Sequence, residues 1–320
     1  MQEVGIKQKV AATDTIHVSL IVPAYNEQEA IIPVIDEYYP YVDEIIVVDD
    51  GSSDETYARA IARADAKINV FQHTINRGKV GALRTGVQHA SGDIIIFTDA
   101  DCTYPACYVP EMIQILKEGR ADLVLGARII ERENIPFFNR IGNTIFSSLA
   151  GYISGKVILD AQTGYRALFK TMMPMLDVTA RSLEFETKMT VRAAKLGYRI
   201  AEIPIVYRER VGVSKLHPIR DGIRMFRGLV SIAWNETSPL GRMILSPSIA
   251  LIIIGFLFGI YSLYERFSVY NLNHAYFPVI AVFLILLGIQ MSSIALLIDY
   301  LSKKMDRIEN RIIALNEKRR

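Results

Sequence analysis

The 320-residue chain is poor in cysteine, tryptophan and histidine, of which it has two, one and five residues. Cys102 and Cys107 are too few for a disulfide scaffold, and no cysteine or histidine lies near them at the spacing of zinc ligands. The N-terminal tail, residues 1–16, lacks the apolar stretch of a secretory signal, so we expect no export of the N-terminal part.

Charged residues are absent from two long stretches near the C-terminal end. Residues 243–264 and 275–298 contain no Asp, Glu, Lys or Arg over 22 and 24 positions. A bilayer-spanning helix needs roughly 20 apolar residues, so residues 242–300 predict a transmembrane hairpin, with two buried helices of a soluble core as the alternative. A hydrophobic content of 51% and a net charge of +2 exclude a disordered chain.

Positive charge clusters at both ends of the hairpin, on Arg220, Arg224, Arg227, Arg242, Lys303, Lys304, Arg307 and Arg311. By the positive-inside rule, the N-terminal domain and both termini are expected in the cytoplasm, as parts of an integral protein of the cell membrane. Residues 218–241 place apolar residues at helical spacing beside an arginine stripe. This pattern predicts an amphipathic juxtamembrane helix, lying in the membrane interface or packed on the cytosolic domain.

The second stretch ends in a region of mixed polar and apolar character. Its apolar residues recur at spacings of 4, 3, 4 and 3, at Leu301, Met305, Ile308, Ile312 and Leu315. Two heptads are short of a coiled coil, so residues 301–320 predict a basic amphipathic helix that rests on the membrane or on a neighbouring subunit of a homo-oligomer. We expect Asp299 at the membrane interface and Gln290 paired with the other helix of the hairpin.

Residues 17–217 predict an α/β domain with a mostly parallel sheet. Apolar runs at 18–22, 44–48 and 93–98 have the character of strands buried on both faces, and helical segments separate them. Ligands of such sheets bind at the carboxyl ends of the strands, and a polar cluster follows each of these runs.

Two of those clusters carry paired carboxylates. Asp99 and Asp101 alternate along an extended segment and so face the same way. Hard oxygen ligands without His or Cys suit Mg²⁺ or Mn²⁺ bound together with a nucleotide diphosphate, although such a pair alone is a weak signal. Asp49 and Asp50 offer acceptors to a base or ribose once residues 52–54 serve as helix caps.

Four motifs in sequence give these residues a context: IVPAYNE at 21–27, VVDDGSSD at 47–54, NRGK at 76–79 and TDAD at 98–101. In order and spacing they resemble the motifs of family 2 glycosyltransferases, which have the GT-A fold. Four later segments resemble the polyprenyl-phosphate sugar synthases of the dolichol-phosphate mannose synthase type: GAR at 126–128, TGYR at 163–166, EFE at 184–186 and SKL at 214–216. The hairpin is similar to the polyprenyl-phosphate glucosyltransferases instead.

The resemblance implies roles for these residues. It places the nucleotide sugar on Pro23, Tyr25, Glu27, Asp49, Asp50, Lys79 and Asp99, with Lys79 on the diphosphate side. It assigns the metal, Mg²⁺ or Mn²⁺, to Asp99 and Asp101. The mannose synthases commonly have Gln two positions after the second aspartate, where this chain has Thr103, a weaker ligand that we leave out of the metal set.

The charge of the acceptor decides which residues the transfer needs. A lipid phosphate is largely ionised at pH 7, so it needs no general base and requires cations that hold it against the sugar. The resemblance places the candidate residues for this role around the acceptor cleft: Arg128, Arg140, Arg208, Arg210, Ser214 and Lys215, of which Arg128, Arg140 and Lys215 are favoured. We assign the catalytic step to Asp101 and Arg128. Arg166 is either a further cation of the cleft or a structural partner of Asp160 or Glu184.

The sequence therefore predicts a membrane-bound, inverting, metal-dependent hexosyltransferase. It would move a hexose from a nucleotide sugar, GDP-mannose before UDP-glucose, to polyprenyl or dolichyl phosphate on the cytosolic leaflet, without a nucleic-acid partner. The alternatives are transfer to a hydroxyl of another lipid or glycan, with a base such as Asp160, and an inactive membrane scaffold. A processive synthase is excluded because its Gln-x-x-Arg-Trp motif is absent.

Overall fold

The computed structural model describes residues 16–130, 134, 137–176, 185–212, 227, 230–231, 234, 237–268 and 276–317. The chain divides into two compact units, Met1–Leu229 and Val230–Arg320. The juxtamembrane stretch at 218–241 lies for the most part outside the described residues, as do Ser214 and Lys215.

A seven-stranded sheet forms the centre of the first unit. Its strands are β1 (Val18–Ala24), β2 (Glu44–Asp49), β3 (Ile68–Gln72), β4 (Ile94–Phe97), β5 (Leu123–Ile130), β6 (Arg166–Phe169) and β7 (Ile200–Val206). Their order across the sheet is β3-β2-β1-β4-β6-β5-β7. Only β6 is antiparallel to its neighbours, β4 and β5, and the remaining pairs are parallel. The predicted mostly parallel sheet is confirmed.

Helices cover both faces of this sheet. They are α1 (Ile31–Tyr38), α2 (Thr56–Ala62), α3 (Lys79–His89), α4 (Val109–Lys117), α5 (Phe137–Ser154), α6 (Met173–Leu176) and α7 (Phe185–Lys195). In β1, Leu20 and Val22 join a core with α1 and α4, whereas Ile21 joins a second core with α3 and α7. Because both faces are buried, the strands are continuous apolar runs without alternation.

Strand β6 is absent from the sequence-based expectation, which has a turn at residues 160–166. Its first residue, Arg166, is almost fully buried. The guanidinium donates hydrogen bonds to the carbonyl oxygens of Thr163 at 2.8 Å and Ala161 at 2.6 Å, and to Thr190 Oγ1 at 2.9 Å. Burial lowers the pKa of Arg166 to about 10. Arg166 therefore has a structural role, and the hydrogen-bond partners described differ from the expected Asp160, whereas Glu184 lies outside the described residues.

The second unit is a helical hairpin. It consists of α8 (Pro239–Ser268) and α9 (Phe277–Glu317), and the segments Pro239–Phe267 and Phe277–Ser302 are long and apolar enough to cross a membrane. The first segment contains the predicted span 243–264, and the second covers the predicted span 275–298 except for its first two residues.

Small residues bring the two helices of the hairpin close together. A Cβ added at Gly255 would lie 2.9 Å from the Ala281 carbonyl oxygen, and one at Gly288 would lie 2.8 Å from that of Ser248. Ser248 Oγ also lies 2.9 Å from Ser292 Oγ across the seam. Such close backbone approach is typical of helix packing in membranes.

Two polar residues of α9, Asp299 and Gln290, differ in burial and in hydrogen bonding. Asp299 is buried and accepts a hydrogen bond of 2.7 Å from the backbone N–H of Ser238, at the start of α8. A carboxylate at that position stabilises a helix N-terminus. Gln290 is exposed and makes no hydrogen bond with any residue that the structure describes. The expectation that it pairs with α8 is wrong, because it lies on the opposite face of α9 from the seam.

The buried guanidinium of Arg166 gives a stability prediction. We expect Arg166→Met to lower the free energy of unfolding by roughly 3 kcal/mol, because three buried oxygen atoms lose their donors. Arg199→Met is the matched control, since Arg199 pairs with Asp122 at the surface and its side chain is 58% exposed. Thermal unfolding followed by circular dichroism in nanodiscs checks this. Equal losses in the two variants would contradict the structural role.

Candidate active site

The acidic pair follows β4, a central strand of the sheet. Asp99 and Asp101 lie directly after its carboxyl end, and Thr98 connects them to the strand. The hydroxyl of Tyr38, on α1, lies 2.9 Å from Thr98 Oγ1 and donates to the Tyr104 carbonyl oxygen at 3.0 Å. The buried side chain of Tyr38 therefore fixes the segment that contains the two aspartates, through hydrogen bonds before and after it.

Asp99 forms an ion pair with Lys79. The Lys79 Nζ lies 2.6 Å from Asp99 Oδ1 and 3.1 Å from Glu186 Oε1. Lys79 is the first residue of α3, and Gly78 before it has φ +78°, a conformation that favours glycine. Burial lowers the pKa of Lys79, but the two carboxylates outweigh burial and raise it above its usual value. The ammonium is thus held protonated beside the acidic pair.

Because Gly164 has no side chain, the Lys79–Asp99 ion pair can lie directly against its backbone. A Cβ at this position would lie 3.0 Å from Lys79 Nζ and 3.1 Å from Asp99 Oδ2. The Gly164 N–H donates to the Tyr104 hydroxyl at 3.0 Å. This hydrogen bond keeps the backbone at Gly164 from moving away from the ion pair. The TGYR motif therefore contributes close backbone approach to the acidic pair.

Asp101 is buried beside a cation from a distant part of the chain. Its Oδ1 accepts from Thr103 Oγ1 at 2.6 Å, and its Oδ2 lies 3.4 Å from Arg210 Nη1. Arg210 also forms an ion pair with Glu27. Burial and repulsion by Asp99 raise the pKa of Asp101 against the opposing effects of Thr103 and Arg210.

The donor set of the acidic pair fits a hard divalent cation. Two neighbouring carboxylates, one of them buried, repel each other, and a bound cation would relieve that repulsion. Among the described residues, no group of three His, Cys, Asp or Glu side chains could hold a metal. Mg²⁺ is commonly bound by one or two carboxylates together with water and substrate phosphates, so a pair suffices. The Thr103 hydroxyl donates to Asp101 and acts as its support.

Asp49 and Asp50 are neighbours with different surroundings. Asp49 Oδ2 accepts from the Ser52 N–H at 3.3 Å and from Gln72 Nε2 at 3.1 Å, whereas its Oδ1 is buried without a hydrogen bond among the described residues. Asp50 Oδ1 lies 2.7 Å from His73 Nδ1 and accepts from the Arg77 N–H at 2.9 Å. Asp50 thus stabilises the loop before Lys79, and Asp49 retains an acceptor atom.

The residues predicted to hold the nucleoside at the end of β1 and in the loop that follows it, called the first loop, also differ in their surroundings. Pro23 lies within β1, opposite Val48, and Tyr25 is 37% exposed. Glu27 is buried, and its carboxylate faces Arg210. Glu27 therefore connects the first loop to the segment after β7, a contact that its position in the motif does not reveal.

The predicted acceptor cations have distinct partners. Arg128 Nε and Nη2 donate to the two carboxylate oxygens of Asp160 at 2.7 and 2.9 Å. Arg208 Nη1 pairs with Glu37 at 3.0 Å, and Arg140 lies half-buried on α5. Arg210 contacts the acidic pair directly, through Asp101.

Two tyrosines that sequence reasoning missed, Tyr104 and Tyr207, lie near both Arg128 and the acidic pair. The Arg128 guanidinium is 5.5 Å from the ring centroid of Tyr207, and the Tyr207 and Tyr104 centroids are 5.5 Å apart. Burial and the charge of Asp101 raise the pKa of Tyr207. Tyr207 directly follows β7, so its place at a strand end is a signal that could have found it.

A mostly parallel sheet with an acidic pair after a central strand is the arrangement found in the GT-A class of glycosyltransferases. A solved structure of glucosyl-3-phosphoglycerate synthase from Mycobacterium tuberculosis, in complex with Mn²⁺ and UDP-glucose, has this fold. It matches with a TM-score of 0.55 at 23% identity, over 69% of this chain and 79% of that one.

The family model of glycosyl transferase family 2 matches residues 19–173. The dolichyl-phosphate hexose transferase of Haloferax volcanii is 32% identical over 222 residues, which cover 68% of this chain and 94% of that protein. A bactoprenol glucosyl transferase from the SfII prophage of Shigella flexneri is 29% identical over 92% of this chain and 95% of that one. The chain belongs to glycosyl transferase family 2, as its motifs predict.

The close approach at Gly164 gives a test of the site. We expect Gly164→Ala to lower the rate of glycosyl transfer roughly tenfold, because the added methyl displaces Lys79 and Asp99 by a few tenths of an ångström. The melting temperature should change little, since flexible side-chain ends can move aside.

Gly259→Ala is the matched control, because its Cβ would meet only Ala281 Cβ at 3.9 Å. Initial rates and thermal unfolding of both variants give the comparison. An unchanged rate in Gly164→Ala would contradict the role of the Lys79–Asp99 pair.

Proposed function

We propose that this chain transfers a hexose from a nucleotide sugar to the phosphate of a polyprenyl or dolichyl lipid. Support comes from relatives named dolichyl-phosphate hexose transferase and bactoprenol glucosyl transferase, and from two helices able to span the membrane that holds such a lipid. GDP-mannose is the first donor proposed, because residues 184–186 and 214–216 resemble mannose synthases. UDP-glucose is the second, because the hairpin resembles glucosyltransferases.

The ion pair of Asp160 with Arg128 is the observation that most favours a lipid phosphate as the acceptor. A hydroxyl acceptor needs a general base, and Asp160 is the candidate for it. Its two carboxylate oxygens are bound by Arg128, which keeps the pKa of Asp160 below its usual value although burial raises it. A carboxylate with a low pKa is a weak base. This favours an acceptor that is already ionised.

The same ion pair prepares Arg128 for a phosphate. Asp160 fixes the plane of the guanidinium, and the Tyr207 ring lies against it. A cation with a fixed orientation stabilises an oxyanion without reorganisation during the reaction. Arg128 is therefore proposed to hold the acceptor phosphate, with Arg140, Arg208, Arg210, Ser214 and Lys215 as the further candidates.

The proposed reaction is a single displacement at the anomeric carbon. A lipid phosphate oxygen forms the new bond while the bond to the nucleoside diphosphate breaks, so the configuration inverts. Lys79, kept protonated by Asp99 and Glu186, is placed to stabilise the diphosphate that departs. Asp99 and Asp101 would hold Mg²⁺ or Mn²⁺, which when bound neutralises phosphate charge.

The proposed topology places the reaction on the cytosolic leaflet. Positive residues before the first span and after the second favour a cytoplasmic position for both termini and for the sheet domain. The lipid phosphate would then be reached from the cytosol while its isoprenoid tail stays in the bilayer.

A radiolabel transfer assay tests the proposed function. The full chain in nanodiscs receives Mg²⁺ or Mn²⁺ and one of GDP-mannose, UDP-glucose or UDP-N-acetylglucosamine, with or without polyprenyl phosphate. We expect label in the organic phase only with polyprenyl phosphate, and its release by mild acid, because a sugar phosphodiester at the anomeric carbon is labile. The donor that gives label identifies the substrate.

Variants give this assay its control. Asp101→Ala should reduce transfer roughly a hundredfold or more, whereas Asp122→Ala, which breaks the surface pair with Arg199, should leave it unchanged. Label in a lipid that survives acid would replace the proposal with a hydroxyl acceptor. The absence of transfer and of metal-dependent nucleotide-sugar binding would favour an inactive scaffold.

A further inference from the structure

Helix α9 has an exposed face that points away from its seam with α8. We call it the outer face, and its residues are Phe283, Leu286, Gln290, Leu297, Leu301, Met305 and Ile308. They recur at spacings of three, four or seven residues, which puts them on one side of an α-helix. The seam residues Ala281, Gly288 and Ala295 are buried on the other side.

Within the membrane span, the outer face carries a polar residue in an apolar surrounding. Gln290 lies near the middle of the segment Phe277–Ser302 and is exposed, with no hydrogen bond to any residue described. An unpaired amide in hydrocarbon is costly because no water is present to satisfy its donors and acceptor. Such residues face the protein interior as a rule.

Beyond the span, the same face has the opposite mismatch. Helix α9 continues without a break to Glu317, through a stretch rich in charged residues. There Met305 is 69% exposed and Ile308 is 50% exposed. Apolar side chains at a charged, water-facing segment favour burial against a partner. The outer face is thus polar where its surroundings are apolar, and apolar where they are polar.

One partner corrects both mismatches. We infer that the outer face of α9 binds the outer face of α9 in a second copy of this chain. Both copies enter the membrane in the same orientation, so their helices run parallel and the two Gln290 side chains meet near the symmetry axis. Each amide has a donor and an acceptor, so the pair can satisfy itself. Met305 and Ile308 would pack against their counterparts in a short coiled coil.

Cysteine cross-linking tests this surface. In the full chain with Cys102→Ser and Cys107→Ser, single cysteines replace Leu297 on the outer face or its neighbour Leu296 on another face. The two leucines are 57% and 53% exposed, so lipid access is matched. After oxidation in membranes, we expect a disulfide-linked species of two chains at least about ten times more abundant for Leu297→Cys than for Leu296→Cys.

A second measurement tests Gln290 itself. In vesicles at varied protein-to-lipid ratios, the dimer dissociation constant from energy transfer between labelled chains should rise roughly 3- to 30-fold in Gln290→Leu. Gln290→Asn keeps the amide and should stay close to the original value. Leucine is a common residue of membrane-spanning helices, so we expect the variant to fold.

Three outcomes would overturn the inference. They are equal cross-linking at the two positions, a cross-link to a different protein, and unchanged association in Gln290→Leu. Neither measurement uses sugar transfer, so a failure here is distinct from a failure of the proposed function.

Discussion

The repulsion between the carboxylates after β4 governs the arrangement of the active site. Carboxylates that lose hydration in a shared space must be compensated, and the cations come from segments far apart in sequence. Lys79 reaches Asp99 from the start of α3, and Arg210 reaches Asp101 from beyond β7. Each cation is in turn held by a further carboxylate, Glu186 or Glu27 in the two cases. The site is therefore a network of alternating charges that the sheet supports.

Local patterns in the sequence predict the parts of this arrangement that depend on neighbours in the chain. The apolar runs give the parallel strands, and the alternation of Asp99 and Asp101 gives the acidic pair at a strand end. Strand β6 is different, because it begins with the charged residue Arg166 and directly follows a turn. The ion pair of Glu27 with Arg210 joins positions 183 residues apart, and no spacing rule encodes such a contact.

In the hairpin, too, the sequence predicts one property and leaves another open. Its existence follows from two uncharged stretches, whereas the face that each side chain occupies depends on how the helices pack. Seam glycines let the backbones approach, and this fixes the rotation of α9. Once Gly288 is in the seam, Gln290 must lie on the far side, and hydropathy alone could not show that.

The segment after β7 shares backbone hydrogen bonds with the acidic loop. The N–H of Arg208 donates to the Thr103 carbonyl oxygen, and that of Val211 donates to the Asp101 carbonyl oxygen, each at 3.0 Å. The same segment leads within three residues to Ser214, a candidate for the acceptor phosphate. A nucleotide sugar that displaced the acidic loop would therefore also displace the segment after β7. Under the proposed function, binding of the nucleotide sugar and of the lipid phosphate would be thermodynamically linked, and each would alter the affinity for the other by the same factor.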